Sequence, residues 1–183
     1  VGADSLITND TRPQLTGTVD DVAAIVTVTV NGKAYTATNN ANGTWTLADD
    51  TILAGDALAD GTYNVAVSAV DIYGNVGVDA TVDELVVETV LPVVGVDSLN
   101  TNDTRPQLTG TIDDAAAVVT VTVNSIAYTA TNNGDGSWTL ADDTILADDA
   151  LADGTYNVFV SAVDIYGNVG VDATVDELVV ETV

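Results

Sequence analysis

Valine and threonine alternate through much of this chain. Ile25–Val30 reads Ile-Val-Thr-Val-Thr-Val, and Val118–Val123 reads Val-Val-Thr-Val-Thr-Val. A period of two sends successive side chains to opposite faces, the pattern of a half-buried strand. β-Branched residues favour that backbone. Working along the chain, residues 2–6 form a short edge strand, and Thr8-Asn9-Asp10-Thr11 turns by residue type. Residues 14–19 form the next strand, with Leu15 inward; Gly17 within it marks a bulge or a close backbone approach. Asp20-Asp21 turns the chain into Ile25–Val30, and Asn31-Gly32 specifies a type I′ hairpin to residues 34–38. After a loop at 39–43, Thr44–Leu47 puts Trp45 and Leu47 on one face. Residues 48–61 are the least regular, with room for one helical turn. Residues 62–70 form a strand with Tyr63, Val65, Val67 and Ala69 on one face, and residues 71–75 turn. Val76, Val78, Ala80 and Val82 then alternate, while Leu85 and Val87 alternate one residue out of phase. That slip predicts a bulge near Asp83-Glu84 in a last strand ending at Val90.

The whole order occurs twice. Thr11-Arg12-Pro13 returns as Thr104-Arg105-Pro106, and Trp45 as Trp138. The offset is 93 throughout, and residues 1–90 and 94–183 differ at only 12 positions. A period of that size is a whole domain, not a solenoid unit. The domains are thus 1–90 and 94–183, joined by Leu91-Pro92-Val93. Seven or so short strands with regularly spaced turns predict an all-β fold: two tandem immunoglobulin-like β-sandwich domains arranged end to end. Trp45 and Trp138, mid-strand between small hydroxylated residues, belong to the cores. Tyr73 and Tyr166, in turns, are the aromatics expected at the surface.

Composition narrows the function. With 46% hydrophobic residues each copy can bury a core, though a domain this small has a thin margin of stability. There is no cysteine, so neither a disulfide nor a zinc cluster holds the fold, and no histidine. The net charge is −25, from 28 acids against Arg12, Lys33 and Arg105. Nucleic acid needs basic residues, so it is excluded as a partner; anionic membrane surfaces are disfavoured. No stretch approaches a membrane span, so no membrane insertion is expected, and no signal-peptide pattern heads the chain. Val1-Gly2 matches the opening of the second copy, Val94-Gly95, so the chain reads as a piece of a longer array. Acidic edges defend against edge-to-edge pairing, and a monomer is expected.

Several stretches carry a family likeness: Thr-Asn-Asp-Thr-Arg-Pro-Gln-Leu-Thr-Gly-Thr, Val-Thr-Val-Thr-Val-Asn-Gly, Gly-Thr-Trp-Thr-Leu, Leu-Ala-Asp-Gly-Thr-Tyr-Asn-Val and Val-Asp-Ile-Tyr-Gly-Asn. They resemble the bacterial Ig-like repeats of giant surface adhesins, including the RTX adhesins exported by type I secretion, and the likeness covers both copies. It implies an extender on the bacterial cell surface, of the biofilm-adhesin type, that holds terminal adhesive domains away from the cell. It also implies Ca²⁺ between repeats, with the neighbouring identical repeats as partners.

Strand directions say which acids such an ion could meet. The start of the first strand, the Asp20-Asp21 turn and the Asp71 turn share one pole, offering Asp4, Asp20, Asp21 and Asp71 in the first copy. The second copy offers Asp97, Asp113, Asp114 and Asp164, with Asn168 behind. The other pole offers Asn9, Asp10 and Glu88, with Asp49, Asp50, Asp56 and Asp60 nearby. Ca²⁺ takes six to eight oxygen ligands. Carboxylates converging without Lys or Arg would repel one another, and cations would remove that cost. Turn chemistry is the equally open reading of each Asp. Asp49, Asp50, Asp142 and Asp143 follow no EF-hand order. The linker has no Gly or Ser, and its proline restricts the backbone, as a stiff joint needs.

Three functions compete. A structural spacer is favoured by the near-identity of the copies, since a binding site needs no duplication along a rod. The alternative is a ligand- or glycan-binding adhesion module, which would use exposed aromatics. Catalysis without His or Cys would need a carboxylate pair in a cleft, and two small domains offer no evident large pocket; an enzyme is not expected.

Overall fold

The computed structural model describes all of residues 1–183. It divides into two units, Val1–Thr89 and Val90–Val183.

The first unit has ten strands: β1 (Gly2–Ala3), β2 (Leu6–Thr8), β3 (Leu15–Thr18), β4 (Ile25–Val30), β5 (Lys33–Asn39), β6 (Thr44–Leu47), β7 (Gly61–Tyr63), β8 (Val65–Val70), β9 (Val76–Val78) and β10 (Leu85–Val87). One sheet runs β1-β3-β6-β5-β4-β8-β9 and the other β2-β10-β7. The long sheet turns over within β5. That strand pairs with β4 as far as Ala37 and with β6 at Thr38 and Asn39. Ile25–Val30 alternates as its sequence demands, with Val26, Val28 and Val30 buried. They meet Val65 and Val67 of β8, Leu85 and Val87 of β10, and Trp45 and Leu47 of β6 in one core. The hairpin after β4 has positive φ at both Asn31 and Gly32 (49° and 73°), as a type I′ turn requires. Residues 54–56 make a single 3-10 turn in the irregular stretch.

Three strands expected to be continuous are each broken in two. The first strand leaves β1, which pairs with β3, and continues as β2, which pairs parallel with β10. The strand at 62–70 breaks at Asn64: β7 pairs with β10, and β8 with β4. The last strand stops at Val78 and resumes at Leu85. The phase slip is therefore a change of sheet, not a bulge. Asp83 takes φ 65°, and Glu84 turns inward, 4% exposed. Its Oε2 accepts the Val65 N–H at 2.9 Å, at the break between β7 and β8. Val76, Val78 and Val82, outside the core, are 61%, 68% and 67% exposed.

Gly17 marks a close approach. A β-carbon there would collide with the Gly2 carbonyl and lie 2.6 Å from the Trp45 ring. Trp45 is fully buried, and its indole N–H donates to the Gly2 carbonyl at 2.9 Å. The ring thus fills the core and satisfies its polar edge on β1.

The second unit repeats the plan: β11 (Val94–Val96), β12 (Leu99–Thr101), β13 (Leu108–Ile112), β14 (Val118–Val123), β15 (Ile126–Thr129), β16 (Thr131–Asn132), β17 (Ser137–Leu140), β18 (Gly154–Tyr156), β19 (Val158–Val163), β20 (Val169–Val171) and β21 (Leu178–Val180). The turnover strand is here split at Ala130, giving separate sheets β11-β13-β17-β16 and β15-β14-β19-β20 beside β12-β21-β18. Trp138, Gly110 and Gly95 repeat the indole arrangement, and Glu177 Oε2 accepts the Val158 N–H at 2.9 Å.

Candidate functional site

Of the acids singled out from the sequence, Asp20, Asp21 and Asp71 are brought together. With Asn75, Gly77 and Val1 they line an open depression of about 240 Å³ in the first unit. Each serves its own turn. Asp71 Oδ1 accepts the Tyr73 and Asn75 N–H groups at 2.8 Å, and its Oδ2 accepts the Asn75 amide at 2.7 Å. That amide, with the backbone donors beside it, holds the Asp71 carboxyl below the ordinary aspartate value against a smaller desolvation. Asp21 Oδ1 accepts the Ala23 N–H at 2.8 Å, and Asp20 Oδ1 the Asp21 N–H at 3.2 Å. Asp4 lies outside the depression; its Oδ2 accepts the Thr16 hydroxyl at 2.8 Å beside the strand ladder.

The second unit repeats these contacts for Asp97 with Thr109, Asp114 with Ala116 and Asp164 with Asn168. Burial pushes the Asp164 carboxyl up, but the Asn168 amide and the loop N–H groups outweigh it, and the net shift is downward. Asp113 does something further. Its Oδ1 accepts the Val93 N–H at 2.7 Å, and its own N–H donates to the Val93 carbonyl at 3.2 Å. Pro92 is buried, with its carbonyl against Gly170. Residues 92 and 93 therefore pack on the unit they lead into.

The other pole is not free of basic residues, contrary to the expectation. Arg12 donates from Nε to the Ile52 carbonyl at 2.7 Å and from a terminal nitrogen to the Asp50 carbonyl at 2.9 Å. Its other terminal nitrogen sits 2.9 Å from the Asp50 carboxylate. Arg105 repeats this on Ile145 and Asp143. Asp10 caps its turn by accepting the Arg12 N–H at 2.8 Å. Asn9 is exposed, and Glu88 is half-buried with its backbone N–H on the Thr8 carbonyl. Asp60 accepts both the N–H and the hydroxyl of Thr89, at 3.1 and 2.8 Å, pinning the end of the unit. Sequence reasoning missed the Asp113 clasp, the Arg12 clamp and Glu84. The signals were there: a lone glycine inside Val169-Gly170-Val171, which marks a close approach, and two arginines placed alike in a chain almost without bases.

Neither unit brings three carboxylates near enough to hold a metal ion. Asp20, Asp21 and Asp71, which share the depression, each accept N–H groups of their own loops. Tyr73 is 84% exposed, as expected of a turn aromatic, while Tyr166 is half-buried. No helix is long and apolar enough to cross a membrane.

Two tandem sandwiches with turn-bound acids define an immunoglobulin-like module class that typically carries no catalysis. The chain belongs to the bacterial Ig-like domain family, which matches residues 2–89 and 94–182. Among solved structures, it is similar to the fibronectin(III)-like modules of Clostridium thermocellum CbhA, at 14% identity and TM-score 0.53 over 98% of this chain and 93% of that one. It is also similar to a tetra-tandem repeat from the extending region of a large adhesion protein, at 25% identity and TM-score 0.42. That match covers 97% of this chain and 47% of the other. A 1.5-MDa bacterial ice-binding adhesin matches at 20% identity and TM-score 0.44, over 99% of this chain and 67% of that one. No curated protein sequence matches the chain.

Proposed function

We propose that the chain is a spacer segment of a bacterial surface adhesin of the RTX type, exported by type I secretion, acting as a monomer to project adhesive domains from the cell. One observation carries this reading: the same closed sandwich is repeated with 12 differences between copies, and acids such as Asp10, Asp21 and Asp71 hold its own turns. A module selected to bind would keep one site and let its neighbour drift; a module selected for length has every reason to be copied.

We propose further that Ca²⁺ stiffens the array. In this reading the ion is held by oxygens from more than one unit, since no three carboxylates cluster within one. Small-angle scattering and thermal melting, each with calcium and with chelator, test it. Binding at 100 times the dissociation constant adds about 2.7 kcal/mol per site to the folded form. Equal dimensions and equal melting temperatures in both buffers would remove calcium from the account and leave the spacer reading intact.

The exposure of Tyr73 favours a second reading, a glycan- or protein-binding module. A glycan array with calcium present decides it; binding that vanishes on Tyr73→Ala would displace the spacer.

A further inference from the structure

Gly77 and Gly170 hold the same position in the two copies, at the centres of the edge strands β9 and β20. Neither has the left-handed backbone that demands glycine. In the second unit the reason for glycine is steric: a β-carbon on Gly170 would collide with the Pro92 carbonyl. In the first unit a β-carbon on Gly77 would meet only the Val1 side chain at 3.9 Å and the Ala69 carbonyl at 4.0 Å, both ordinary contacts. Within the first unit, nothing at this position calls for glycine.

The second half of the arrangement is Asp113, whose carboxylate and N–H close a two-bond clasp on Val93. Downstream of it, Val94 pairs with Ile112 and is 6% exposed. The first unit's ladder keeps the same register, Gly2 with Thr18 as Gly95 with Thr111. Asp20 and Gly77, the counterparts of Asp113 and Gly170, line the same depression beside Val1.

We propose that this depression is a docking site for an extended, uncharged segment of the type Leu-Pro-Val joined ahead of Val1. The valine would be clasped by Asp20, with the proline carbonyl lying over Gly77. Glycine and aspartate together form a chain-docking motif, used in the second unit by residues 92 and 93. It fixes the incoming backbone to the unit it enters, by hydrogen bonds and close packing that need no metal.

Amide hydrogen exchange read by NMR on the full chain, in chelator, tests the idea. In the chain as it stands, the Val93 N–H should be protected, and Asp113→Ala should abolish that protection. Adding Leu-Pro-Val ahead of Val1 should protect the new valine N–H, slowing its exchange roughly tenfold or more, the equivalent of 1.4 kcal/mol. Gly77→Ala should leave the unextended chain unchanged, yet remove that protection in the extended one. Asp20→Ala supplies a second variant with the same expected loss. An added valine that exchanges freely, or stays equally protected in both variants, would overturn the proposal. Because calcium is absent throughout, the result is independent of the metal reading.

Discussion

Trp45 and Gly17 face each other across the β3–β6 ladder, and the indole lies where a β-carbon of residue 17 would have to be. The pair is one device with two effects. The missing side chain lets the ring sit flat in the core, and the ring's N–H then holds the Gly2 carbonyl of the edge strand. Gly17→Ala forces both apart, and overpacking with a backbone collision costs about 3 kcal/mol. Urea unfolding followed by Trp45 fluorescence in a Trp138→Phe background should show an earlier midpoint for the first unit.

The Arg12 clamp separates charge from hydrogen bonding. The Asp50 side chain is 69% exposed, so its ion pair with Arg12 contributes well under about 1 kcal/mol. The bond to the Ile52 carbonyl is partly buried and, with the one to the Asp50 carbonyl, ties the irregular segment to the Asp10 turn. Asp50→Asn should therefore be nearly neutral. Arg12→Ala should cost about 1–3 kcal/mol, and lysine, a point charge without the planar fork, should not restore it. Denaturant midpoints of the three variants, at low and high salt, check the ordering.

Two hairpin positions invite improvement. Ser125 occupies the place of Gly32 with φ 68°, and Ala41 the place of Gly134 with φ 58°. The left-handed region costs a residue with a β-carbon roughly 1 kcal/mol. Ser125→Gly should raise the stability of the second unit by about that much, and Ala41→Gly that of the first. Calorimetry on each single variant and on the pair would reveal two additive gains.

Acid should loosen the Asp71 and Asp164 turns. Both carboxyls are held below their ordinary value in the folded chain, and an unfolded aspartate titrates near 3.9. The unfolded state then binds protons first as pH falls. The contribution is complete well above pH ~4 and is lost as pH drops through the folded values. Asp71→Asn with Asp164→Asn should flatten the fall in urea midpoint below about pH 4 and leave its slope near neutrality unchanged.

The central hairpin could be read from the sequence because its signals are local. Ile25–Val30 and Thr44–Leu47 have the expected bounds, and Asn31-Gly32 makes the expected turn. The breaks at Asp4-Ser5, Asn64 and residues 79–84 were hidden for one reason. Alternation tells which side of a strand is buried, but not which sheet the strand is bonded to; even the slip in the last strand, where Val76, Val78 and Val82 lie outside the core, does not by itself say that the chain has changed sheets. The grouping of Asp20, Asp21 and Asp71 followed from strand direction. Their engagement with their own loops did not, because a carboxylate two residues from a free N–H closes a turn whatever lies across the depression. Glu84 shows the opposite case: one acid in a run of acids is buried, with its carboxylate accepting the Val65 N–H at the break where that strand changes sheets.

The pairing of β2 with β10 is parallel, and these are among the first and last strands of the unit. Tension applied to Val1 and Thr89 would drag the two strands past each other lengthwise instead of peeling them open. The backbone bonds between Leu6–Thr8 and Leu85–Val87 would then carry the load together and fail together, which is how a short ladder resists a tug that a hairpin would not.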